Sequence, residues 1–110
     1  MNKLVIISQG FRDDLENCFD SLMFPKFKNR PPLTYEEAHN YIDDIADLAL
    51  LLGEKKRHAD CVYEIHKQYG GKVIRYDRNK NTQYYIIYDL DEEKNIIHIK
   101  RLIANHVTIF

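Results

Sequence analysis

The sequence has few cysteines, no dominant charge, no long apolar run and no glycine-rich phosphate cradle, and each shortage removes a class of function. Cys18 and Cys61 stand at no paired or metal-like spacing, so neither a disulfide framework nor a cysteine-ligated zinc site is expected. Cys18 falls on an apolar helical face, where cysteine behaves as a small hydrophobe, and a reducing cytoplasm is the expected compartment. No stretch approaches the roughly 20 apolar residues that span a bilayer. Met1 to Gln9 is too short and too polar at its flanks for a signal peptide, so no membrane role is expected. Gly70-Gly71 lacks a following Lys-Ser/Thr and precedes a strand, and no nucleophile elbow occurs, which speaks against nucleotide cofactors. His39, His98 and His106 have no ligand partners at recognisable spacing, and His58 and His66 lack the i, i+4 spacing that chelates well. The expectation is no metal and no cofactor, with surface roles for His58 and His66.

What is present fits one domain over residues 1–110, with 45% hydrophobic residues for a modest core. The net charge of -1 makes no general case for nucleic acid, but its distribution is uneven. Through Gly53 there are 5 basic and 9 acidic residues; from Glu54 onward there are 11 basic and 8 acidic. An acidic front and a basic rear suit a protein with two differently charged sides.

Leu4 to Ile7 reads as a short central strand that ends at Ser8 and Gln9. Phe11, Leu15, Cys18, Phe19 and Leu22 recur at helical intervals, with Arg12, Asp13, Glu16 and Asp20 between them facing water. The prolines of Phe24 to Leu33, with Lys26, Lys28 and Arg30, predict an exposed basic loop. Thr34 and Glu37 then form an S/T-x-x-E capping box. The helix it opens carries Ala38, Tyr41, Ile42, Ile45, Leu48, Ala49 and Leu52 to a left-handed exit at Gly53. Arg57 to Tyr69 repeats the helical pattern weakly and ends at Gly70-Gly71.

The last third alternates strands with turns. Val73 to Tyr76, Tyr84 to Tyr88 and Ile96 to Ile103 are strand-like, separated by Asp77 to Asn81 and Asp91 to Asn95. The sum is an α+β domain in two layers: a strand, two or three helices, then a three-stranded antiparallel meander whose sheet the first strand is free to join.

This order, with Ser8 closing the first strand, Phe11 and Asp14-Leu15 opening the helix and Tyr84-x-x-x-Tyr88 in the penultimate strand, resembles the RelE/ParE toxin superfamily. The resemblance covers almost the whole chain, and its most specific part is the run from Lys72 to Ile99. It implies a type II toxin neutralised by a cognate antitoxin. In the RelE branch such a toxin is a metal-independent endoribonuclease, an mRNA interferase acting in the ribosomal decoding site; ParE-like members poison DNA gyrase. By the same resemblance, Arg75 and Arg78 are the residues to stabilise phosphate charge on a concave sheet face, and His106 is the proton-transfer residue. Tyr85 stands where relatives often carry Arg. Lys55, Lys56, Arg57, Lys80, Lys100 and Arg101 complete the expected RNA-binding set.

The residues themselves leave alternatives open. Basic side chains also solvate the open face of an antiparallel sheet. Tyr76, Tyr84, Tyr85 and Tyr88 suit cross-strand packing as well as base stacking. Lys55, Lys56 and Arg57 also complement the end of the second helix.

Overall fold

Ser8 ends one element and starts the next. In the computed structural model, which describes residues 2–25, 31–80 and 82–105, its Oγ accepts the Phe11 N–H at 3.1 Å and so caps a helix. The same hydroxyl donates to the Lys100 carbonyl at 2.9 Å, 92 residues away. Strand β1 (Leu4–Ile7) therefore leads directly into α1 (Gln9–Met23) against the far end of the chain. Helix α2 (Tyr35–Leu51) begins at the expected capping box, with Thr34 and Glu37 exchanging bonds of 3.2 Å in both directions. A 3-10 turn (Leu52–Glu54), β2 (Ala59–Asp60) and the single turn α3 (Glu64–Lys67) follow. Strands β3 (Lys72–Asn79), β4 (Thr82–Asp91) and β5 (Ile96–Ala104) complete the chain.

The strands make one mixed sheet in the order β1-β5-β4-β3-β2, antiparallel except for the parallel β1–β5 pair. Helices α1 and α2 cover one face and bury Phe11, Cys18, Ile45, Ala49 and Leu52 against Ile86, Tyr88, Ile97, Ile99 and Leu102. Among the described residues, the other face carries no long helix. There the segment from β2 to β3 lays Cys61 and Tyr69 over Val73, Tyr85, Ile87 and Ile103. The architecture is the expected two-layer α+β arrangement, and the meander is present with β1 in the same sheet.

Several local expectations need correction. Strand β1 is an edge strand, with Leu4 and Ile6 left exposed, because the sheet ends there. Gly53 has no positive φ. What it provides is close approach, since a Cβ there would stand 2.6 Å from the Lys3 carbonyl oxygen, next to the Lys3 N–H···O=C Gly53 bond. The third helix is not Arg57 to Tyr69 but one turn, because Ala59 and Asp60 pair with Val73 and Lys72 in the ladder. The positive φ lies at Asn95, 59°, in the β4–β5 turn, where asparagine tolerates it. Half of the proline-rich loop, from Lys26 to Arg30, Asn81 and His106 lie outside the described residues.

Two β-bulges interrupt the alternation. Arg78 is the extra residue of β3 opposite Thr82 and Gln83, and Lys100 is the extra residue of β5 opposite Ile87 and Tyr88. Beyond the end of β1, the N–H of Leu102 would have no ladder partner on that side. It donates instead to Asp14 Oδ2 at 2.9 Å. Asp14 also accepts two bonds from Arg101, Nε at 2.7 Å and Nη2 at 2.9 Å, and is 1% exposed. Replacing it with alanine strands a guanidinium and a backbone donor together, so Asp14→Ala is expected to lower unfolding free energy by about 3–5 kcal/mol. Urea denaturation measures this; a loss below about 1 kcal/mol removes the pair from its anchoring role.

Candidate functional site

A period of two places every second residue of a strand on one face. Arg75 lies opposite Tyr85 in the β3–β4 register, so the two share the face without long helices. Tyr85 in turn lies opposite Ile103 on β5. Above Tyr85 stands His66, from the single turn α3, with ring centroids 4.6 Å apart. Tyr63, which begins that turn, sets its ring edge-on to His66 at 5.4 Å and to Tyr85 at 6.5 Å. The turn holds its shape because the Tyr63 carbonyl accepts the N–H groups of His66 and Lys67. It ends at Gly70, where a Cβ would lie 3.0 Å from the Tyr88 carbonyl oxygen, so glycine lets the chain pass this close to β4 without displacing it.

These four side chains form the candidate site. Arg75 is held by Asp77, Nε to Oδ1 at 3.0 Å, on an exposed part of the surface. His66 is buried, and burial pushes its imidazole below the ordinary value of 6.5, so it is neutral and able to take up a proton at neutral pH. Tyr63 is exposed and Tyr85 half-buried, which offers aromatic surface beside a guanidinium. Such a face can hold a phosphate at Arg75, stack a base on the tyrosines and accept a proton at His66.

The other expected site residues are dispersed. Arg78 does not meet Arg75, because the two lie three residues apart in β3 and a period of two sends them to opposite faces, Arg78 to the helix layer with Ile74 and Tyr76. There it lies over the Tyr41 ring, 4.8 Å from the centroid, and bonds the hydroxyls of Tyr41 and Tyr84. Its neighbours are protonated groups: burial pushes the Tyr84 hydroxyl and the Cys18 thiol up to about 12. A shared concavity for the two arginines is thus not formed. Arg101 is committed to Asp14 and lies 5.1 Å from the Tyr69 ring centroid. Lys100 is fixed at its bulge through its carbonyl, and Lys80 is exposed in the β3–β4 turn. Lys56 is exposed, while Lys55 and Arg57 line a cleft of about 400 Å³ with His58, Ala59, Val73, Ile74 and Arg75.

His58 is not on a helix. Its Nδ1 is 2.8 Å from the buried Tyr88 hydroxyl and its Nε2 is 3.1 Å from the Lys55 carbonyl. Both His58 and His66 escape a reading that treats them as surface histidines. The signal for His66 is slight, an aromatic three residues before it on one turn closed by Gly70. Among the described residues no group of three or more His, Cys, Asp or Glu is positioned to hold a metal ion. Among them, too, no helix is long and apolar enough to cross a membrane.

No family model matches the chain, and no curated protein matches it. Among solved structures it is similar to the RelBE2 toxin–antitoxin complex of Mycobacterium tuberculosis, with 14% identity over 93% of this chain and 96% of that chain and a TM-score of 0.44. Similarity at this level describes a loosely shared arrangement of elements, and nothing about activity follows from it.

The two perturbed histidines make stability depend on pH. Burial lowers the pKa of both His58 and His66, with Lys3, Lys55 and Lys72 adding to the effect at His58. The unfolded chain therefore binds protons first. Their contribution is complete above about pH 6.5 and is lost as pH falls below it toward the lowered folded values. Urea midpoints at pH 7.5 and 5.5 are expected to fall with acid, and to fall less in a His58→Gln/His66→Gln double variant. An equal fall in that variant would show the acid sensitivity to lie elsewhere.

Proposed function

We propose that this chain is the toxin of a type II toxin–antitoxin system and acts as a metal-independent endoribonuclease of the RelE type on messenger RNA in the ribosome. The reading joins the sequence resemblance to one observation, the meeting of Arg75, Tyr85 and His66 on the face without long helices. A cognate antitoxin that covers this face is the corresponding partner.

The chemistry needs no cofactor. A ribose 2′-oxygen attacks the adjacent phosphorus, forming a 2′,3′-cyclic phosphate while the bond to the 5′-oxygen breaks. His66 accepts the 2′-hydroxyl proton, and Tyr85 supplies a proton to the leaving 5′-oxygen; solvent restores both groups. Arg75 stabilises the added charge on the phosphate oxygens, with Asp77 fixing its orientation. Tyr63 and Tyr85 provide stacking surface for the base, so the reacting atoms are held in line. In this scheme Tyr85 takes a proton-transfer role that a permanent cation could not, and His66 stands in the role first expected of His106.

A second reading keeps the same type of fold and drops cleavage, as a ParE-like gyrase poison or a degenerate toxin that only binds protein. The observation favouring it is that Arg78 and Arg101 are engaged inside the molecule, while the helix layer exposes Asp13, Glu16, Asp20, Glu36, Glu37, Asp43, Asp44 and Asp47. Fewer cations are then available for ribosomal RNA.

Induction in a bacterial host followed by mapping of messenger RNA ends separates the readings. New ends are expected with the wild-type protein. Cleavage should fall by roughly 10²–10³ in Arg75→Ala and about 10² in His66→Ala. In a purified assay the acid limb of the rate is expected below pH 6.5, following the lowered pKa of His66. Growth arrest without new RNA ends overturns the nuclease reading, and accumulation of cleaved gyrase–DNA complexes in the same cells would establish the poison instead.

A further inference from the structure

The cleft beside β3 shares Arg75 with the aromatic site and differs from it in its other residues. Its walls are the Lys55 to Ala59 segment and the Val73 to Arg75 stretch of β3, and they bring Lys55, Arg57 and Arg75 together. Ladder pairing of Ala59 with Val73 fixes one wall to the other. Among the described residues no carboxylate pairs with Lys55 or Arg57, while nearby Lys72 is already neutralised by Asp60 at 2.5 Å. Asp77 occupies only Nε of Arg75, and a guanidinium has further donors. An open groove that brings Lys55 and Arg57, with no carboxylate partner among the described residues, beside Arg75 is suited to a small anion.

His58 stands in the same wall, and its tautomer follows from its partners. Nε2 faces the Lys55 carbonyl, an acceptor, so Nε2 carries the proton. Burial pushes the Tyr88 hydroxyl up to about 12, so it stays an O–H and donates to Nδ1. The groups around His58 are otherwise positive: Lys3 ahead of β1, Lys55 after the 3-10 turn, Lys72 on β3, Arg57 beside it in the same wall and Arg75 across the cleft; Asp60 offsets Lys72. Neutral His58 is what this concentration of positive charge permits, and an anion among these groups reverses the balance.

We propose that this cleft binds a phosphate group, with Lys55, Arg57 and Arg75 as its cationic partners and His58 as a proton-linked fourth. Binding draws a proton onto Nδ1, and the Tyr88 hydroxyl turns from donor to acceptor. Linkage is reciprocal, so acid must strengthen the binding that the anion makes favourable to protonation. The phosphate is either an internal phosphodiester of RNA or a terminal phosphomonoester. The inference does not depend on RNA being cleaved.

Sulfate is the first probe, because its charge is constant over the relevant pH range. Titrated into the whole chain at fixed ionic strength and followed by amide NMR, it is expected to shift residues 55–59 and 73–75. Affinity should rise about three- to tenfold from pH 8 to pH 6, within the tenfold per pH unit that one proton allows. Arg57→Gln should weaken it roughly tenfold. His58→Gln can keep both hydrogen bonds but cannot titrate, so it should bind sulfate with the pH dependence gone. Hexaribonucleotides with a 5′-phosphate or a 5′-hydroxyl then compete against sulfate. Equal displacement identifies a phosphodiester, and displacement by the phosphorylated strand alone identifies a terminal phosphate. No shift at these residues, an unchanged pH dependence in His58→Gln, or displacement by neither strand overturns the proposal. Binding is read without turnover, so a failed nuclease assay leaves it standing.

Discussion

The fold depends on one carboxylate placed where a strand runs out. The parallel β1–β5 pair stops at Ile7 and Ile99, yet β5 continues to Ala104. The backbone donors of that continuation face the start of α1, and Asp14 is the side chain that meets them. By accepting the Leu102 N–H and both arms of Arg101, it ties residue 14 to residues 101 and 102 while leaving none of the three groups unpaired. Ser8 does the same at the start of the helix, capping α1 with one lone pair and holding the Lys100 carbonyl with its proton. The Lys100 bulge is thus gripped from both sides. Since α2 packs on α1 and both cover β4 and β5, the orientation of the helix layer is set at this junction.

That junction and the alternation of β3 also decide how positive charge is distributed. A sheet carrying regular alternation from Lys72 to Ala104 would send basic side chains to either face according to parity alone. Parity sends Arg78 to the helix side with Tyr76, where it joins Tyr41 and Tyr84 beneath α2; Arg101, past the Lys100 bulge, turns to Asp14. Two of the guanidiniums in the rear half therefore hold the molecule together. Near the β2–β3 edge Lys55, Lys56 and Arg57 are exposed to outside partners, with Arg75 common to the cleft and the aromatic face. The acidic helix layer lies on the opposite side of the sheet, so the uneven charge of the sequence becomes a difference between faces.

Much of the architecture was legible because it rests on local patterns. The Thr34–Glu37 box, the apolar stripes of α1 and α2, the turn at Asn95 and the three-strand meander each follow from a few neighbouring residues. Asp14 was legible in principle: it sits three residues after Phe11 and four before Cys18, on the apolar stripe, where an acid requires a partner. That partner is 87 residues away, and single-sequence reading does not reach it. The bulges were not legible, since nothing in Asp77-Arg78-Asn79 or Ile99-Lys100-Arg101 marks an extra residue. A period of two carried past the Lys100 bulge assigns the wrong face to whatever follows, whereas the convergence expected of Arg75 and Arg78 was not met on parity alone, since three residues separate them in β3. The weak helical pattern from Arg57 to Tyr69 misled because pairing of Ala59 and Asp60 with β3 outweighed local propensity.

His58 and His66 carry this argument to function. Both come from the irregular segment between the 3-10 turn and β3, which has little regular structure of its own and is held by contacts to β3 and β4. A loop so attached can bring titratable groups to a rigid sheet without altering the sheet. Tyr85 and Tyr88 are three residues apart on β4, one on the open face touching His66 and one in the core reaching His58. The same strand therefore fixes both histidines, each with its imidazole neutral for a physical reason that can be named. Removal from water is the first cause at both, and at His58 the surrounding lysines add to it. Chemistry at this face would then be sensitive to anything that displaces the segment or neutralises those lysines, and a bound phosphate does the second.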